Sequence, residues 1–133
     1  MIARYLDPDT DSVQEVELAD VSAVDSLLGL VTELGGQRGT PAVELSHPSG
    51  ATLVIGQAGA LSVLMFTDAL GTSSHSVGSA SHRAGESLVI DYLGSYTEIP
   101  IEYFVEREVG RAGAIEFLTA GTPFAPDLTL EPD

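Results

Sequence analysis

The chain has 133 residues, 44% of them apolar, with 20 Asp and Glu against five basic residues, for a formal charge of −15. That length suits a single domain that buries roughly two thirds of its unfolded surface. With no cysteine, disulfides and thiolate metal sites are excluded. Nucleic acid and anionic membranes are disfavoured as partners, because both are polyanions.

Every basic residue is Arg and none is Lys. A surface this acidic attracts basic partners and can raise association rates by orders of magnitude. Acidity also serves plain solubility, so the charge constrains the partner without naming it. The opening Met1-Ile2-Ala3-Arg4-Tyr5 lacks the basic stretch and apolar core of a signal peptide. No apolar stretch reaches the ~20 residues of a membrane span. The expectation is a cytoplasmic protein.

Ile2 to Leu6 reads as a short strand, Asp7 to Ser12 as a turn, and Val13 to Leu18 as a second strand. Val21, Val24, Leu28 and Val31, widened by Leu27 and Leu34, recur at helical spacing. Asp20 or Ser22 can cap that helix, Ser22 with Asp25 has the capping-box pattern, and Gly35-Gly36 ends it. Ala42 to His47 and Thr52 to Gly56 form a strand pair around Pro48-Ser49-Gly50. A turn at Gln57-Ala58-Gly59 leads to Leu61 to Thr67, apolar enough for a central strand.

Gly71 to Gly85, rich in Ser, Gly and His, reads as a loop or weak edge strand. Leu88 to Leu93, a turn at Gly94-Ser95 and Tyr96 to Ile99 make a hairpin that Pro100 ends or confines to an edge. A second helix is predicted over Glu106 to Thr119, with Val109, Ala112, Ile115 and Leu118 or Phe117 as its buried face. Gly121 and Pro123 terminate it, and Asp127 to Glu131 can add a last strand. No linker or repeat divides the chain. The expected fold is α+β over residues 1–133, a mostly antiparallel sheet with two main helices packed against it.

Candidate chemistry is sparse. Asp7, Asp9 and Asp11 imitate the start of a calcium loop, but Ser12 and Leu18 stand where Gly and Glu are required. An acidic hairpin turn accounts for them better. Each His follows a Ser, at Ser46-His47, Ser74-His75 and Ser81-His82. Strand neighbours point to opposite faces, so these make poor nucleophile–base pairs. The spacing of His75 and His82 matches no zinc site, and exposed loop histidines are expected instead. The glycines form no phosphate-binding pattern. Neither cofactor nor metal is expected, and no catalytic motif is found.

Glu98, Glu102, Glu106 and Glu108 cluster late in the chain, near Asp91 and Tyr92. A glycosidase-like pair would need two carboxylates facing across a cleft. Otherwise the same residues form a solvated acidic face or dock against a cationic site.

The chain resembles the first-numbered immunity family (Imm-one) of bacterial polymorphic toxin systems. The resemblance runs through Ala23 to Leu28, the hairpin Ala51 to Gly56 with Gly59 to Phe66, Asp91 to Pro100, and Ala114 to Gly121 with Pro123. Its most specific pieces are Tyr92-Leu93-Gly94 before Thr97-Glu98-Ile99-Pro100, and Phe117-Leu118-Thr119-Ala120-Gly121. Family members carry Trp in the loop after the central hairpin and in the last strand. Here those places hold Ser73-Ser74-His75 and Leu128-Thr129-Leu130.

The resemblance implies a small α+β protein, not an enzyme, that binds and neutralises a cognate toxin domain in contact-dependent competition. The toxin would be a basic, nucleic-acid-acting deaminase or nuclease. Asp68, Asp91, Tyr92, Glu98 and Glu102 are the expected toxin-binding residues, with Tyr92 the aromatic anchor. Two other readings stay open: a small enzyme or ligand-binding domain using the acidic cluster around Glu98, and a self-assembling structural protein.

Overall fold

Alternation along the strands determines how the chain folds, because it gives the sheet two apolar faces to cover. The computed structural model describes residues 1–34, 40–78 and 85–133; Gly35-Gly36 and His82 lie outside them. The strands are β1 (Ile2–Asp7), β2 (Ser12–Glu17), β3 (Val43–Ser46), β4 (Thr52–Ala58), β5 (Leu61–Thr67), β6 (Ser73–Val77), β7 (Ser87–Tyr92), β8 (Ser95–Pro100), β9 (Val105–Glu106) and β10 (Thr129–Pro132). The helices are α1 (Val21–Leu34) and α2 (Arg107–Ala120).

An eight-stranded sheet runs in the order β10-β6-β5-β4-β3-β1-β2, with β9 added beside β5, and β7 and β8 pair separately. Every strand pairing among the described residues is antiparallel. The fold is α+β.

One face of the sheet, with Ala3, Tyr5, Leu45, Leu53, Ile55, Leu64 and Phe66, packs on Val24, Leu27, Leu28 and Val31 of α1 and on Ala114 and Phe117 of α2. The intervening residues Ala42, Val54 and Val63 meet Ile90 and Ile99 of the β7–β8 hairpin, with Ile101 and Phe104. The molecule thus stacks helices, sheet and hairpin. β4 and β5 are covered on both sides, which is why their sequences read as near-continuous apolar runs.

Asp20 caps α1, its Oδ1 accepting the Ala23 N–H at 2.9 Å. Asp25, read as half of a capping box, instead accepts a two-pronged bond from Arg111 of α2, at 2.6 and 2.9 Å. Arg111 lies one helix away, and its fork geometry satisfies both carboxylate oxygens at once.

α2 begins one residue later than predicted, and its buried residues are Gly110, Gly113, Ala114 and Phe117. Of the predicted face Phe117 is fully buried, while Val109, Ala112, Ile115 and Leu118 are half-buried. The cause is close packing: a β-carbon at Gly110 would lie 2.6 Å from Ser62 Cβ, and one at Gly113 2.8 Å from Leu64 Cδ2. Gly29, exposed on α1, has nothing within 4 Å of that position. Replacing Gly29 with Ala should therefore raise the unfolding free energy by about 0.5–1 kcal/mol through helix propensity. Gly110→Ala should lower it by about 1 kcal/mol, overpacking against β5 exceeding the same propensity gain. Urea denaturation of both variants measures the opposite signs.

β6 is a full strand inside the sheet rather than a loop or edge. β5 pairs with β6 through Met65–Thr67 and with β9 through Leu61–Ser62. Between these ladders Ser76 Oγ accepts the Leu64 N–H at 2.9 Å and donates to the Tyr103 carbonyl at 2.6 Å. His75 is buried on the same strand, stacked on Tyr103 at 3.9 Å between ring centroids, with Nδ1 2.6 Å from Asp133 Oδ1. It is not the exposed loop histidine expected.

Candidate functional site

The β7–β8 hairpin is the element that could meet a partner, because it forms a layer of its own and shows most of one face to solvent. Ile90 fixes it to the sheet at Gly56, where a β-carbon would stand 3.0 Å from two of the Ile90 side-chain carbons. Main-chain bonds lock its tip sideways: Asp91 N–H donates to the Thr40 carbonyl at 3.2 Å, and Ala42 N–H to the Asp91 carbonyl at 2.8 Å.

The turn is Leu93-Gly94, one residue earlier than predicted, since Tyr92 pairs with Ser95. Both turn residues have positive φ, 49° and 95°, the backbone that a two-residue hairpin loop with the right twist demands. The Asp91 carboxylate holds this conformation by accepting the Gly94 N–H at 2.8 Å.

That use of Asp91 removes it from the expected contact surface. It is 4% exposed, and an enclosed carboxylate bonded to its own turn cannot reach a partner. Tyr92 is committed as well. Its hydroxyl donates to Glu44 Oε2 at 2.6 Å, and the other Glu44 oxygen accepts from Arg4. Burial, then the hydrogen bond and charge of Glu44, push the Tyr92 phenol up to about 12. Burial alone would raise Glu44, but hydrogen bonds from Tyr92 and Arg4 and the Arg4 charge hold it below the ordinary carboxylate value. This trio ties the hairpin to β1 and β3, a positioning role.

Glu98 is exposed on the outward face of β8, directly across from Val89. Tyr96 is 49% exposed, faces the same way and pairs with Asp91. Strand alternation places Val89, Tyr96 and Glu98 together, an aromatic, an aliphatic and a carboxylate on one rigid ridge. Composition cannot tell which tyrosine of the hairpin points outward; alternation counted back from the buried Ile99 sets Thr97 inward and Glu98 and Tyr96 outward.

Glu102, in the 3-10 turn Ile101–Tyr103, is half-buried and accepts the Gly85 N–H at 3.1 Å. Asp68 lies apart from the hairpin, in the turn closing β5 and β6, where its Oδ1 accepts the Leu70 and Thr72 N–H groups at 2.9 Å each. Of the expected contact residues, only Glu98 stands free on an outward face.

No protein-family model matches this chain, and no characterised protein does either.

A different kind of site opens between the helices. A cleft of about 300 Å³ is lined by Asp25, Thr32, Gln57, Arg107, Glu108 and Arg111, among others. Gln57 is buried and accepts from Thr32 Oγ1 at 2.6 Å. Arg107 Nε is buried without a hydrogen-bond partner. Charges of both signs line this cleft, so it favours neither an anion nor a cation strongly. Among the described residues no group of three His, Asp or Glu could hold a metal ion. None of their helices is long and apolar enough to cross a membrane.

Proposed function

We propose that this chain is a non-catalytic cytoplasmic immunity protein that binds and neutralises a basic, nucleic-acid-acting bacterial toxin domain, a deaminase or a nuclease. The outward ridge of Val89, Tyr96 and Glu98 is the contact surface, and this observation carries the reading. A locked strand pair presents an exposed tyrosine beside a carboxylate, in a chain of charge −15. Interface hot spots are enriched in Tyr, and complementary charge speeds encounter and sets register. An enzyme acting on nucleic acid needs a cationic cleft, which an anionic plug fits. The resemblance to the polymorphic-toxin immunity family points the same way.

An enzyme built around Glu98 would need a second carboxylate facing it, whereas the residue across the ladder is Val89.

Co-expression of the chain with the toxin domain encoded immediately upstream tests the proposal. Restored growth and a complex that weakens with salt are expected. Glu98→Lys and Tyr96→Ala should each weaken that complex roughly tenfold or more while leaving the circular-dichroism spectrum unchanged. No complex and no rescue would overturn the reading for that pair.

A further inference from the structure

Among the described residues the sheet ends on one side at β2, which pairs there only with β1. Its outer edge therefore offers a row of main-chain N–H and C=O groups without a strand partner, the template on which another strand can add. Proteins commonly guard such edges with Lys, Pro or a bulge. β2 reads Ser12-Val13-Gln14-Glu15-Val16-Glu17, so it has no Lys and no Pro, and its register with β1 runs unbroken over all six pairs. Only acidic side chains guard it.

Beside this edge lies an apolar groove of about 250 Å³ between β2 and α1, lined by Val16, Leu18, Ala23, Leu27 and Leu30, with Glu17 at its rim. Val16 is 37% and Leu30 43% exposed. Register separates the two faces of β2. Val16 lies across from Ala3, on the helix side of the sheet, while Glu15 and Glu17 lie across from Arg4 and Ile2 on the hairpin side. A strand added here would meet apolar surface on one face and carboxylates on the other.

We infer that the β2 edge and its groove receive an extended segment of a basic partner, in which apolar residues alternate with Lys or Arg. Its apolar side chains enter the groove beside Val16 and Leu30; its cationic ones face Glu15 and Glu17. Main-chain pairing supplies affinity and the alternation supplies specificity, as in other strand-addition complexes. Charge decides between occupants. A second copy of the chain would bring its own Glu15 and Glu17 and a further −15 to the same edge, and like charges paired across strands are destabilising. The inference rests on the toxin-inhibitor reading for the class of partner, and places a second contact away from the hairpin ridge.

The test uses the full chain, isotope-labelled, titrated with a synthetic peptide of alternating Lys and Val and with a control peptide of alternating Glu and Val. Amide shifts confined to Ser12–Glu17 and Ala23–Leu30, weakened by salt and absent with the Glu peptide, are expected. Val16→Glu and Leu30→Glu, both at exposed positions, should weaken the Lys peptide at least tenfold. No shifts, shifts scattered over acidic residues elsewhere, or a β2-dependent dimer in sedimentation would each overturn the inference. The peptide result is independent of any toxin. A toxin complex unaffected by Val16→Glu and Leu30→Glu, with no peptide binding, removes the groove alone and leaves the inhibitor reading in place.

Discussion

Phe117→Ala lowers the free energy of unfolding by about 3–5 kcal/mol, the range for truncating a fully enclosed aromatic residue. Phe117 is 0% exposed and is the only residue of α2 with a large side chain buried against the sheet; its other buried positions are Gly110, Gly113 and Ala114. It meets Phe66 edge-on at 6.1 Å between centroids and His47 at 5.7 Å. Main-chain pairing of Phe66 in β5 and the 2.9 Å bond of His47 to Ser49 limit how far either ring follows a shortened side chain inward. The lost contacts and the cavity therefore add rather than offset. A domain of ordinary stability has about 5–15 kcal/mol to lose, so the variant approaches unfolding at physiological temperature. Ile115→Ala is the control, because Ile115 is only half-buried. Its loss should be well under half as large in the same guanidinium titration. Equal losses would mean that Ile115 is packed as tightly against the sheet as Phe117.

That face shows where a sequence stops being informative. Hydrophobic periodicity finds side chains that need burial, and α2 approaches β5 through two residues that have none. The same logic explains β6. Its Ser and His look like loop composition, yet Ser76 completes the main-chain bonding of β5 and His75 stacks on Tyr103. Those stabilising contacts come from residues far along the chain, where no local pattern records them. By contrast α1 was legible because it buries a periodic apolar set, β4 and β5 because burial on both faces makes them near-continuous apolar runs, and Gly121 because a left-handed cap, here at φ 74°, favours Gly.

The candidate site was half legible. The hairpin and its outward Glu98 followed from alternation and turn residues. The register did not: a turn at Gly94-Ser95 sets Asp91 across from Glu98, an acidic pair, whereas the turn at Leu93-Gly94 sets Val89 there. Sequence treats every exposed-looking Asp and Tyr alike, but the fold had already used Asp91 to hold its turn and Tyr92 to anchor the hairpin.

Removing the Tyr92–Glu44 bond should cost about 1–2 kcal/mol at neutral pH, toward the low end for a bond to a charged group because the site is not fully sealed. The Glu44 side chain is 13% exposed, and Arg4 reaches solvent. Tyr92→Phe and Glu44→Gln both read this loss, with opposite pH signatures. Glu44 is held below its ordinary value of 4.5 in the folded protein. Its contribution is therefore present above that value and is lost as pH falls through the depressed one. The stability gap between wild type and Glu44→Gln should close there, since a protonated Glu44 resembles Gln. Tyr92 is raised from 10.0 to about 12. Its contribution is complete below pH 10.0 and is lost as pH climbs towards 12, so the gap to Tyr92→Phe closes in alkali. Differences between variants cancel the self-repulsion of the other carboxylates, which shifts absolute stability with pH in every form alike. A Tyr92→Phe gap that stayed constant from pH 7 to 12 would show that the hydroxyl does not bond to a carboxylate. The hairpin would then be held by the packing of Ile90 and Ile99 on the sheet and by the Asp91 main-chain bonds, without a polar anchor at Tyr92.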